Sequence, residues 1–142
     1  MDLEQLVATH LAAENDHRLE DTLATLHEEC LFEDRALGQV FHGREGAAKY
    51  YTTWWNAFDV VVQGERRHWT PEPLLVAETR YQGTHIGEFL GIPATGRSID
   101  FSLAVIITFR DGLMAGERFY YDLATLLRQI GVKEIPSGVN AR

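Results

Sequence analysis

Residues 98–121 read Ser-Ile-Asp-Phe-Ser-Leu-Ala-Val-Ile-Ile-Thr-Phe-Arg-Asp-Gly-Leu-Met-Ala-Gly-Glu-Arg-Phe-Tyr-Tyr. Asp111-Gly112 divides two apolar runs and supplies the positive φ that a tight turn needs, so the segment predicts an antiparallel hairpin of strands 98–110 and 113–121. Alternation places Phe101, Leu103, Val105 and Ile107 on one face of the first strand, and Glu117, Phe119 and Tyr121 together on the second. Upstream, 60–69 and 74–89 also read as strands, separated by Thr70-Pro-Glu-Pro73, and residues 92–96, Ile-Pro-Ala-Thr-Gly, lead into the hairpin. Asp122 is placed to cap a last short helix, 123–130, that Gly131 ends.

Before this meander the pattern is helical. Leu3, Leu6, Val7 and Leu11 recur at helical spacing, and Leu19, Leu23 and Leu26 resume it after a polar break at 14–17. Residues 30–37 are compatible with a strand, and Gly38 and Gly43 bracket a turn. In the next helix Ala47, Tyr50, Tyr51, Trp54, Trp55 and Phe58 fall on one face, a set of rings that must cover something. Helices first and an antiparallel meander afterwards predict an α+β architecture in which one curved sheet packs on N-terminal helices. The tail 136–142 is expected to be loose.

The 142 residues suit one domain, 1–142, with one core. Thirteen basic against 21 acidic side chains give a formal charge of −8 with no cationic stripe, which argues against a nucleic-acid partner. The apolar run 103–107 is far shorter than the about 20 residues a membrane helix needs. The single cysteine, Cys30, has no partner for a disulfide or a metal site, and reads as a buried hydrophobe in a reducing compartment. A cytoplasmic protein is expected. His10 and His17 share a helical spacing and read as lacking a carboxylate or third imidazole nearby, so no metal site is visible.

The string Gly-Thr-His-Ile-Gly-Glu-Phe-Leu-Gly-Ile-Pro at 83–93, the Thr95-Gly96 turn, the Asp111-Gly112 hairpin and the Leu-Arg-Gln-Ile-Gly ending at 127–131 together resemble the SnoaL-like polyketide cyclases of the nuclear-transport-factor-2-like superfamily. The resemblance implies a cone-shaped α+β fold, a deep cavity between sheet and helices, and cofactor-free aldol chemistry run by an aspartate with histidine, glutamine and asparagine nearby. Spacing from Gly112 and from Gly131 puts that aspartate at Phe119. The supporting histidine and glutamine fall at Val105 and Leu103, and the asparagine at Phe32. All four positions are apolar here. Limonene-epoxide hydrolases also carry an aspartate where Phe119 stands, so their chemistry loses its carboxylate too. The implied cavity is therefore apolar, walled by Phe32, Trp54, Trp55, Leu103, Val105, Phe119 and Tyr121, and suits a small hydrophobic ligand.

Other residues are left to move protons. Glu117 shares the parity of Phe119 and points inward if the family register holds; the alternative is a solvated or arginine-paired carboxylate at the hairpin end. Asp34 shares parity with Phe32, in a setting slightly similar to the base-bearing segment of ketosteroid isomerases; the alternative is a pair with Arg35 or Arg44. His85, between Gly83 and Gly87, can donate to a substrate oxygen or serve as a structural group, with Tyr121 as a second donor; Glu88 faces away from His85 on strand parity. Three functions are compatible with these residues: a cofactor-independent acid/base enzyme acting on a small apolar carbonyl, ester or epoxide compound, a binding protein that kept the cavity and lost the chemistry, and a scaffold using the outer sheet face. A homodimer through Ala104, Ile106 and Tyr120 is compatible with each.

Overall fold

The computed structural model describes residues 1–134; the tail 136–142 lies outside the described residues. Asp2 opens α1 (Leu3–Asn15) with a capping box, accepting from the Gln5 amide while the Gln5 side chain accepts from its own. After α2 (Leu19–Ala24) the chain enters β1 (Leu26–Asp34), β2 (Gln39–His42), α3 (Gly43–Ala57), β3 (Phe58–Trp69), β4 (Leu74–His85), β5 (Ser98–Arg110), β6 (Leu113–Tyr121) and α4 (Leu123–Gln129). One curved six-stranded sheet in the order β2-β1-β6-β5-β4-β3 results, antiparallel throughout except where β1 runs parallel to β6.

β2 lies inside the segment expected to be a turn. It carries only two apolar residues, Val40 and Phe41, too few to show a period, and it forms because β1 offers a partner, with Phe32 opposite Phe41. β1 also begins and ends earlier than the 30–37 pattern suggests. Asp34 stops it, because its Oδ1 accepts from the amides of Ala36 and Leu37 and turns the chain. β4 likewise ends at His85 rather than 89. There the amides of Ile86 and Gly87 both donate to the Ala57 carbonyl, tying the loop to the end of α3.

α3 joins β2 to β3, which are opposite edges of the sheet. Its 15 residues span about 22 Å, and five inter-strand steps come to about 24 Å, so the helix is just long enough to lie across the whole sheet. Tyr50, Tyr51 and Trp54 are buried on its inner side, with Tyr50 stacked on Phe119 and Trp54 packed against Phe58, Phe89 and Phe101. The edge strand β3 is protected by side chains. Asn15 bonds both the amide and the carbonyl of Val62, and His17 donates to the Val60 carbonyl while stacking on Trp55. At the other end of the chain Asp122 caps α4 through Thr125, and Gln129 bonds both backbone groups of Asp100.

The glycines of the 83–93 string are steric requirements. A Cβ on Gly83 would stand 1.8 Å from the Asp59 carbonyl oxygen, and one on Gly87 2.0 Å from that of Asn56, and neither backbone group can swing aside. Gly83→Ala and Gly87→Ala should each destabilise the fold by about 1–3 kcal/mol or more, while alanine at exposed Gly64, which has open space around it and no positive φ, should cost less; urea unfolding midpoints check the ranking.

Candidate active site

Between α1 and the concave face of the sheet lies a hollow of about 50 Å³, walled by Val7, Leu11, Leu103, Val105, Ile107 and Phe119 among others. A second, of about 20 Å³, lies under α3 against Tyr51, Trp54 and Trp55, and shares Glu14, Tyr81, Leu103 and Phe119 with the first. This is room for a small molecule or a few waters; drug-sized ligands need roughly 300 Å³ or more. The deep cavity of the sequence expectation is thus largely filled. Phe32 and Phe119, large rings at the positions where the resemblance implies asparagine and aspartate, take up the space, packed on each other and on Tyr50.

Polar groups gather at one end of the first hollow. Glu117 points inward from β6, only 4% exposed. Its Oε1 stands 3.2 Å from His10 Nε2, which also faces Glu14 Oε2 at 3.6 Å and the Tyr51 hydroxyl at 3.0 Å. The Tyr81 hydroxyl lies against Glu14. The other ring nitrogen, His10 Nδ1, meets Thr25 Oγ1 at 2.7 Å. Burial alone would lower the affinity of His10 for a proton, but the hydrogen bond and charge of Glu117, helped by Glu14, more than offset it and leave its pKa raised. Burial pushes the Glu14 carboxyl up to about 7, against the opposing pull of His10. Burial also holds the hydroxyls of Tyr51 and Tyr81 far above their ordinary range, so both remain donors. Arg67 lines the hollow from β3 and is tied to Glu4 at 2.8 Å.

The other sequence candidates divide between wall and core. Leu103, Val105 and Phe119 line the first hollow, and Trp54 and Trp55 the second. Phe32 is fully buried in the core and lines neither. Asp34 is also fully buried and lines neither, and the expected arginine pair does not form: Arg35 faces Glu33 and Arg44 donates to the Leu26 carbonyl. Instead Asp34 Oδ2 accepts from the hydroxyls of Tyr50 and Tyr121 at 2.7 and 2.8 Å while Oδ1 holds the turn, so Tyr121 is engaged there as well. His85 is fully buried beside Phe58, with Nδ1 against Thr95 and Nε2 without a protein partner, and lies outside both hollows. Glu88 binds the Gly91 amide in the following turn.

The expectation that His10 has no carboxylate nearby fails, since Glu14 stands one turn on, and these are the residues that strand parity could not find. Their signal is helical: four apart on the face of α1 that carries Leu6, Val7 and Ala13, they are polar residues turned toward a core. His17 ends the polar break with φ 53° and serves β3 rather than the hollow. Among the described residues no group of three His, Cys, Asp or Glu side chains is arranged to hold a metal ion, and no helix is long and apolar enough to cross a membrane.

The fold and sequence have clear counterparts. TsrD from Streptomyces laurentii is 30% identical, with 91% of this chain and 94% of that one aligned and a TM-score of 0.79. A candidate polyketide cyclase from Pseudomonas putida KT2440 is 20% identical over 91% of this chain and 98% of that one, TM-score 0.82, and shares the fold. The polyketide cyclase IdmH of Streptomyces antibioticus, itself a candidate in that role, is 23% identical over 91% and 98%, TM-score 0.76. No curated protein matches significantly. A family profile for SnoaL-like polyketide cyclases matches residues 4–130, nearly the whole length. With the helix-covered curved sheet it describes, this settles the kinship: the chain belongs to the SnoaL-like polyketide cyclase family.

Proposed function

We propose that this chain is a cofactor-independent acid/base enzyme of cyclase, isomerase or hydrolase type, a single-domain cytoplasmic homodimer acting on a small hydrophobic carbonyl, ester or epoxide compound. One observation carries the reading: Glu117, His10 and Glu14 are buried together against a mostly apolar hollow. Burying two carboxyl groups and an imidazole costs stability that apolar residues of similar size would not, and such clusters concentrate at functional sites. Glu117 takes a proton from a carbon or from water, with His10 holding the carboxylate in place and sharing that proton through Nε2. Glu14, protonated up to about pH 7, gives one to the developing oxygen anion, with the Tyr81 hydroxyl, which also lines the hollow, beside it, while the Tyr51 hydroxyl holds His10 Nε2. Asp34 and His85 stand outside this scheme, since each is bonded elsewhere and neither reaches a hollow. Leu103, Val105, Phe119 and Trp54 supply the apolar wall that selects the substrate.

A second reading, a binding protein without turnover, is favoured by the apolar residues at all four positions where the cyclases are polar. The two differ in outcome. Screening small hydrophobic carbonyl, ester and epoxide compounds with product analysis should yield a converted compound, and Glu117→Gln should slow that conversion by about 10²–10⁴-fold with the fold intact. Recovery of every stabilising compound unaltered would transfer the assignment to the binding reading. For the homodimer, Tyr120 is exposed on the outer sheet face, and sedimentation of Tyr120→Glu should show weakened association.

Glu14 also couples the site to pH. Its folded-state pKa of about 7 lies above its ordinary 4.5, so the folded protein holds that proton more tightly than the unfolded chain does. The resulting stabilisation is full below about pH 4.5 and is lost as pH rises toward 7; the raised His10 adds a loss of the same sign from its ordinary 6.5 upward. Urea midpoints should therefore fall across this window and flatten in Glu14→Gln, and turnover should decline above about pH 7.

A further inference from the structure

We propose that Thr25 is a positioning residue that fixes the tautomer of His10, holding the proton on Nδ1 so that Nε2 is the nitrogen that exchanges protons at the hollow. The inference rests on the acid/base reading for its consequence in turnover but not for its geometry. Thr25 is buried where α2 gives way to β1, and its hydroxyl donates to the Thr22 carbonyl at 2.7 Å. That donation spends its one proton, so toward His10 Nδ1, 2.7 Å away, the Thr25 oxygen can only accept. Nδ1 therefore carries hydrogen in both charge states of the ring.

The consequence falls on Nε2. In the neutral ring its lone pair is left bare, facing the Tyr51 hydroxyl as donor at 3.0 Å and Glu117 at 3.2 Å. In the charged ring Nε2–H donates to Glu117, with Glu14 within 3.6 Å. The opposite tautomer would put two acceptors, bare Nδ1 and Thr25 Oγ1, face to face, and would close Nε2 as a proton acceptor. The groups facing this imidazole from packed elements are Glu14 on its own helix, Thr25 and the Thr22 carbonyl from α2, Tyr51 from α3 and Glu117 from β6. Thr25 meets Nδ1, and Glu14, Tyr51 and Glu117 gather at Nε2. An imidazole oriented by an acceptor on its far nitrogen is a recurrent arrangement.

Long-range ¹H–¹⁵N spectra of the full chain, recorded as a pH titration, test this without any substrate. The expected result is a His10 ring protonated at Nδ1 when neutral; Thr25→Val should lower the pKa of His10 and admit the Nε2-protonated form, and Thr25→Ser should restore both. For any compound that the protein converts, Thr25→Val should cut kcat about 10-fold, a part of the roughly 10²–10⁴-fold that a positioned acid or base contributes, shift the pH profile with the His10 pKa, and leave KM little changed. A wild-type ring protonated at Nε2, or a Thr25→Val protein with unchanged tautomer and pKa, overturns the proposal. Should the valine variant not fold, the wild-type tautomer alone decides. If no compound is converted yet the spectra come out as expected, the enzymatic reading fails and the assignment of Thr25 stands.

Discussion

Because α3 leaves one edge of the sheet at β2 and must deliver the chain to the other edge at β3, it has no course except across the concave face. That single crossing organises most of the interior. Its rings must meet side chains from every strand they pass, which is why Trp54 touches Phe58 from β3, Tyr81 from β4, Phe101 from β5 and Tyr121 from β6. Aromatic residues suit such a helix, since each buries a large area while losing few rotatable bonds. The crossing also divides the concave side in two, with α3 over one part and α1 over the other, so the first hollow lies under α1 and the second is bounded by both helices.

The parallel contact of β1 with β6 adds the second constraint. It sets Phe32 beside Glu117 and Asp34 beside Phe119, so the end of β1 runs under the middle of α3. A carboxylate at that point would be an uncompensated buried charge. It survives because four donors converge on it, two hydroxyls and two amides, and those bonds are what join α3, β6 and the β1–β2 turn. Asp34 is thus a joint of the fold in its present surroundings, and its burial is explained by its partners without reference to a ligand.

The strands of the meander, the Asp111-Gly112 hairpin and the Asp122 cap were legible because each depends on neighbours in sequence, on alternation and on local turn chemistry. Gly83 and Gly87 were marked by the same string that carried the family resemblance, although the carbonyls that forbid a side chain there belong to residues some 24 to 31 positions earlier. β2 was not legible, since a two-residue apolar signal becomes a strand only when β1 stands beside it. The site was half legible for a related reason. Strand parity turned Glu117 inward, but its counterpart arrives from α1, more than a hundred residues away, and a histidine with a glutamate four places on looks like any exposed helical pair until the helix is seen to lie over a sheet. Asp34 misled on parity alone: it does face inward, into a set of tyrosines instead of a hollow.

Where the resemblance implies polar side chains on the strands, the buried polar groups of this chain stand elsewhere. Strand positions Phe32, Leu103, Val105 and Phe119 are apolar, and the group that meets Glu117, His10, comes from α1, with Glu14 also near its Nε2. A polar cluster on a covering helix depends on how that helix is docked in a way that a cluster on central strands does not. α1 is accordingly held to the sheet at both ends: Glu4 is bonded to Arg67 and to the Trp69 indole, and Asn15 is paired with both backbone groups of Val62. Arg67 is at once a wall of the first hollow and a tether of its roof. Loosening α1 would therefore admit water beside the carboxyls, relieve the burial that keeps Glu14 protonated and separate His10 from Glu117 in one movement, so the docking of this helix and the proton affinities of the cluster vary together.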